Sequence, residues 1–311
     1  MTSLKDAFEG NVFILDGAMG TQVQNLGLAD EDFGGPPFRM LTDIVNVSHP
    51  DLIKKIHLDY LRAGAQGIET NSFGASPFRL SEYNFKELDP SRFEQEINGN
   101  DLRHLDLEQI AFLLSKRAAE IACEARETFR KENPSKAQEV YIFGSIGPSN
   151  RVISSTDADL KRATFEEIQK NFCCQTRGLL AGGVDAVLLE TQQDILETKA
   201  ALFGVKQAMK ESGKFLPILC QVSVDAFARM PIFNTDIHAA QVTLDRLGIS
   251  AFGVNCSIGP DLMTKSVETL SRTCPLPISV VPNAGLPMAE AGKTVFKFPA
   301  DRFASCLREY V

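Results

Sequence analysis

What most constrains this chain is a repeated alternation. Short apolar runs occupy residues 12–15, 66–69, 140–145, 186–190, 218–224, 252–256 and 278–282, and longer amphipathic stretches lie between them. Each run is rich in Val, Ile, Leu or Phe and ends in small or polar residues, the pattern of a strand buried on both faces. The intervening stretches, 49–63, 107–131, 164–181, 194–211, 236–247, 261–272 and 299–310, carry helical signals. Ile110, Leu113, Leu114, Arg117 and Ile121 follow the i, i+3, i+4, i+7 rule of one helix face. Thr164 and Glu167 form a capping box. Seven strand–helix alternations imply an α/β fold with a parallel sheet.

Two architectures meet that requirement, an open doubly wound sheet and a barrel. No G-x-G-x-x-G follows any strand, which removes the best support for a dinucleotide fold. The strand ends instead carry polar and small residues throughout, as the C-terminal face of a barrel does. The expectation is a TIM (β/α)8-type barrel, with seven strands counted where eight are needed. A chain of 311 residues suits one such domain, residues 1–311, with the polar segment 84–106 as an inserted loop.

Composition narrows the partners. Net charge is −8 and no basic stripe is visible, which argues against nucleic acid. No apolar run approaches the ~18 residues of a membrane span, and the start lacks a signal-peptide layout. Seven cysteines, odd in number and irregular in spacing, fit reduced thiols in the cytoplasm.

Cys256 ends the sixth apolar run, where a thiol could be a nucleophile, a metal ligand or a packed small residue. Cys173 and Cys174 are adjacent within a helical stretch, so their side chains point ~100° apart. One in the core and one half-buried is the expectation for that pair. The histidines, His49, His57, His104 and His238, form no metal-binding pair, and His49 suits a turn before a helix. Asp16, Glu69 and Glu190 close three different runs. They suit binding an ammonium, acid–base work or backbone capping. Gly17 and Gly20 allow close backbone approach to a ligand.

Six ordered blocks resemble the homocysteine S-methyltransferases: IleLeuAspGlyAlaMetGlyThr (14–21), GluThrAsnSerPheGlyAlaSer (69–76), SerIleGlyProSerAsnArg (145–151), GlyValAspAlaValLeuLeuGluThr (183–191), GlyValAsnCysSerIleGlyPro (253–260) and ProAsnAlaGlyLeuPro (282–287). They are most similar to the N-terminal homocysteine-binding module of cobalamin-dependent methionine synthase. The resemblance implies a (β/α)8 barrel whose zinc is held by three cysteines. One matches Cys256, and the other two form a GlyGlyCysCysGly block that this sequence lacks. Zinc with an open fourth position would bind homocysteine sulfur as a thiolate. That thiolate would take a methyl group to give methionine. Methylcobalamin and methyltetrahydrofolate would come from cobalamin- and folate-binding modules of a larger protein.

By the same resemblance, Asp16 and Glu190 grip the homocysteine amino group and the amides of Gly17 and Ala18 its carboxylate. Glu69, Thr70, Asn71 and Ser72 line the pocket, Asn255 orients the site, and Asn283 lies near the metal. Loop hydrogen bonding is the competing role for the Asn and Thr residues. The missing block implies a fragment cut before the eighth strand and helix, inactive alone, with open sheet edges that invite self-association. The alternatives are a homocysteine methyltransferase using betaine, S-methylmethionine or another donor, and a silent barrel that binds an amino acid or a partner subunit.

Overall fold

The computed structural model describes residues 4–8, 12–93, 101–134, 139–155, 157, 160–290 and 293–311. Six parallel strands run in chain order across one sheet: β1 (Gly67–Glu69), β2 (Tyr141–Ile146), β3 (Ala186–Gln192), β4 (Ile218–Val222), β5 (Ala251–Asn255) and β6 (Ile278–Val281). Helices precede or link them: α1 (Leu4–Phe8), α2 (Met19–Asn25), α3 (Val45–Ser48), α4 (Pro50–Ala63), α5 (Pro77–Leu80) and α6 (Leu107–Glu132). Then come α7 (Phe165–Gly182), α8 (Ile195–Ser212), α9 (Ile237–Asp245), α10 (Pro260–Thr273) and α11 (Ala300–Glu309). The repeated β–α order is the expected TIM-type pattern, with each strand parallel to the last.

Side-chain alternation divides the interior in two. Tyr141, Phe143, Ala186, Leu188, Leu219 and Ala251 point inward from β2–β5 and pack with Leu4 of α1 and with Phe8, Phe13 and Leu15. Their neighbours Ile142, Val187, Leu189, Cys220, Val222, Phe252 and Val254 point outward into the layer beneath the helices. A period of two therefore sorts each strand between an inner plug and an outer core. Gly178, Gly182 and Gly204 let helices touch backbone to backbone: a Cβ on Gly178 would lie 2.4 Å from the Phe112 carbonyl oxygen.

The structure corrects four expectations. Residues 12–15 make one parallel bridge, Leu15 to Gly67, in place of a strand. The Ile14 N–H donates to the Gln66 side chain, which interrupts the backbone ladder. The segment 84–106 is not merely a polar loop. Phe85, Leu88 and Leu102 are buried with Phe38, Ile44 and Ile110, while residues 94–100 lie outside the described residues. Cys173 and Cys174 are both buried, because α7 is sandwiched and Cys173 faces one apolar cluster while Cys174 faces another. Finally, β7 (Met288–Glu290) and β8 (Lys293–Val295) form an antiparallel hairpin that no periodicity announces at three residues a strand. Among the described residues no strand pairs with the outer edge of β6, and no helix is long and apolar enough to cross a membrane.

Candidate active site

Above the inner apolar plug, the inward positions turn polar. Glu69 ends β1, Ser145 lies in β2, Glu190 in β3, Gln221 in β4 and Asn255 ends β5. Asp16 joins them just past the Leu15 bridge, where its N–H donates to the Gly67 carbonyl at 2.9 Å. The parallel register carries these residues to the same end of the sheet, the face on which barrel active sites are built.

Three acids meet there. Asp16 Oδ2 accepts the Glu69 N–H at 3.0 Å, and Oδ1 is buried with no partner. Glu190 Oε1 accepts the Ser145 hydroxyl, and Oε2 accepts Asn255 Nδ2 at 3.1 Å and Thr191 Oγ1 at 3.4 Å. Burial pushes the Asp16 carboxyl well above the usual carboxylate range, and the Glu190 charge adds to this. Burial also raises Glu69 well above its ordinary value, reinforced by the charges of Glu190 and Asp16. Burial raises Glu190, against the pull of its hydrogen bonds from Ser145, Thr191 and Asn255. Glu69 and Glu190 lie close enough that each carboxyl bears on the other's protonation, and burial favours the neutral form of both. No Lys, Arg or His among the described residues makes an ion pair with any of the three.

Asn255 fixes the geometry. Its Oδ1 accepts the Thr191 N–H at 2.8 Å while its Nδ2 donates to Thr191 Oγ1 at 2.8 Å. Thr191 holds φ at 58°, and Cys256 and Ser257 hold 61° and 64°. Three non-glycine residues in the left-handed region, two of them consecutive, are backbone strain gathered at one rim. Cys256 is half-buried there, and its N–H donates to the Val281 carbonyl at 3.0 Å.

The remaining expected residues divide. Gly17 and Ala18 follow Asp16, and their N–H groups donate to no acceptor among the described residues. A Cβ on Gly17 would come within 3.2 Å of the Tyr60 hydroxyl, so that ring lies against the loop. Thr70, Asn71 and Ser72 are buried and engaged in the loop itself. Thr70 Oγ1 meets Ser72 Oγ at 2.6 Å, Ser72 Oγ donates to the Ser145 carbonyl at 2.7 Å, and Asn71 Nδ2 donates to the Thr42 carbonyl at 2.9 Å. The Asn283 N–H donates to the Ile258 carbonyl at 3.0 Å, tying the loop after β6 to the loop after β5. Ser145, Thr191, Gln221 and Tyr60 escaped the sequence reading as site residues. The sequence signal for Gln221 was partial: a lone amide within an apolar run, whose inward orientation only the register supplies.

The thiols fit a metal poorly. Among the described residues no three His, Cys, Asp or Glu side chains form a set that could hold one. Burial pushes Cys173 up to about 11 and Cys174 up to about 12, which suits inert core thiols. Cys220 is fully buried on the outer side of β4. Cys256 thus stands at the rim as a single thiol, one of the three that the family resemblance requires.

Comparison with known proteins decides the family. The profile described as homocysteine S-methyltransferase matches residues 13–311. The chain belongs to the homocysteine S-methyltransferase family. This homocysteine S-methyltransferase family member is 32% identical over 310 residues to the methionine synthase of Mycobacterium tuberculosis, covering 100% of this chain and 23% of that protein. It is 30% identical to the methionine synthase of Mycobacterium leprae, again over 23% of that protein's length. The chain therefore spans about a quarter of these relatives. The metallated form of the homocysteine methyltransferase MmuM from Escherichia coli superposes with a TM-score of 0.68 at 26% identity, covering 91% of this chain and 87% of that one. The oxidized form superposes at 0.69 over 97% of this chain and 88% of that one.

Proposed function

We propose that this chain is the homocysteine-binding barrel of a methionine synthase, one module of a larger multidomain protein, that presents homocysteine for methylation to methionine. The observation that carries the reading is the convergence of Asp16, Glu69 and Glu190 with no ion-paired cation among the described residues. Buried acids without a counter-ion are costly. An ammonium group repays that cost, and an α-amino acid brings one.

In this reading Asp16 Oδ1 and the Glu69–Glu190 pair receive the ammonium, whose charge favours the ionised form of the acids around it. The unengaged amides of Gly17 and Ala18 receive the carboxylate. Thr70, Asn71 and Ser72 act from behind by holding the β1 loop, and Asn283 acts by holding the loop that carries Cys256. The substrate sulfur lies toward Cys256. A single thiol does not make a zinc site. The thiolates that complete a metal site, like methylcobalamin and methyltetrahydrofolate, belong to segments outside this chain. Seven free cysteines suit the cytoplasm.

The test is calorimetric titration of the chain with L-homocysteine. Binding is expected in the wild type, and Glu190→Gln is expected to weaken it by about tenfold or more, the worth of one charge-assisted hydrogen bond. Unchanged affinity in that variant removes Glu190 from substrate binding.

A further inference from the structure

Gln221 holds a second unsatisfied acceptor in the polar layer, and the mechanism above leaves it unused. It is fully buried, with no exposed surface. Leu219, two residues earlier, points into the inner plug, while Cys220 and Val222 point to the outer core, so Gln221 points inward. In register it lies opposite Gly253, which in turn lies opposite Ser279. Gly253 has no side chain to fill the space between, and Gln221 Nε2 crosses it to donate to Ser279 Oγ at 2.7 Å. That bond fixes the amide and leaves Gln221 Oε1 buried without a donor.

A buried carbonyl oxygen without a partner is costly, and one that faces the polar layer is placed to accept from a ligand. Its surroundings name the donor. On the neighbouring strand, Leu189 is in register with Cys220 and Gln192 with Val222, so the irregular stretch that holds Glu190 runs alongside Gln221. Asn255, two residues beyond Gly253, bonds Glu190 from above. Each Glu190 oxygen already has a donor within the protein, from Ser145, Thr191 or Asn255, and keeps a further lone pair, whereas Asp16 Oδ1 and Gln221 Oε1 have no donor at all. An empty acceptor in a layer that also holds Asp16, Glu69 and Glu190 suits a cationic group with several N–H bonds. A thiol is a weak donor and carries one hydrogen only.

We infer that Gln221 is a substrate-binding residue whose Oε1 accepts an N–H of the substrate's ammonium group, held in place by Ser279. The inference rests on the amino-acid reading of the site and deepens it by assigning a contact. Three ligands separate the possibilities: L-homocysteine, L-norleucine, which keeps the ammonium and lacks sulfur, and 4-mercaptobutanoate, which keeps the sulfur and lacks the ammonium. Their affinities are measured by calorimetry or competition on the 311-residue chain.

Gln221→Met is expected to weaken homocysteine and norleucine by about tenfold each and to leave 4-mercaptobutanoate within about twofold, the scale of one hydrogen bond to a charged donor. Gln221→Glu, which keeps an acceptor oxygen in place, is expected to preserve the wild-type preference for the ammonium ligands. An equal loss for all three ligands, a loss confined to the sulfur ligands, or a Gln221→Glu variant that behaves as Gln221→Met overturns the inference. Failure of the wild type to bind either amino acid overturns the underlying reading and this contact with it. Wild-type binding of both amino acids with no effect in Gln221→Met overturns the contact alone.

Discussion

At the scale of single residues, the site depends on one position that has no side chain. A Cβ on Gly253 would sit 1.9 Å from the Ser279 carbonyl oxygen, so β6 lies against β5 only because residue 253 is glycine. Gly253→Ala is expected to destabilise the fold by about 1–3 kcal/mol or more, through displacement of β6, and a thermal melt against wild type measures it. The sequence made the acids Asp16, Glu69 and Glu190 legible because each closes an apolar run. It hid which other polar residues reach the pocket. Thr70, Asn71 and Ser72 stand beside Glu69 in the chain, yet their hydrogen bonds turn them into the loop. Gln221 lies mid-run and reaches the polar layer through strand alternation, which becomes visible only when the register is known.

Among the elements, legibility followed length. The seven expected helices all form, within a residue or two of their expected limits, because periodicity and caps mark both ends. Thr164 accepts the Glu167 N–H at 3.2 Å, and Glu167 returns a bond to the Thr164 N–H at 2.8 Å, as the capping box required. Thr164→Ala is expected to cost about 1 kcal/mol, read as a lower urea midpoint with an unchanged slope. Among short elements, the apolar runs of β1–β6 were legible, and those without such a run were not. The β7–β8 hairpin and α2 are too short for a period to declare itself, and tertiary contacts form them. Residues 12–15 failed in the opposite sense. Their apolar run is genuine, and Phe13 and Leu15 pack inward, but Gln66 takes the Ile14 N–H and limits the ladder to one bridge.

For the molecule as a whole, buried acid is a recurring theme and gives stability a definite sign. Glu197 of α8 accepts the Ser149 N–H at 2.7 Å and ties the loop after β2 to the helix layer. Burial pushes its carboxyl up from 4.5 to about 7. Between those values the folded chain holds a proton that the unfolded chain releases. The stabilising contribution is therefore complete below about pH 4.5 and lost as pH rises through about 7. Glu197→Gln, which mimics the protonated form, is expected to remove up to about 3 kcal/mol of that decline, seen by comparing urea denaturation at pH 5 and pH 8. Asp43, raised by burial to about 6, acts in the same direction. The inner plug has a different reach. Leu4, Phe8, Tyr141, Phe143 and Leu219 pack beneath the polar layer. A small molecule held at the polar layer therefore rests on an apolar floor and exchanges over the polar rim.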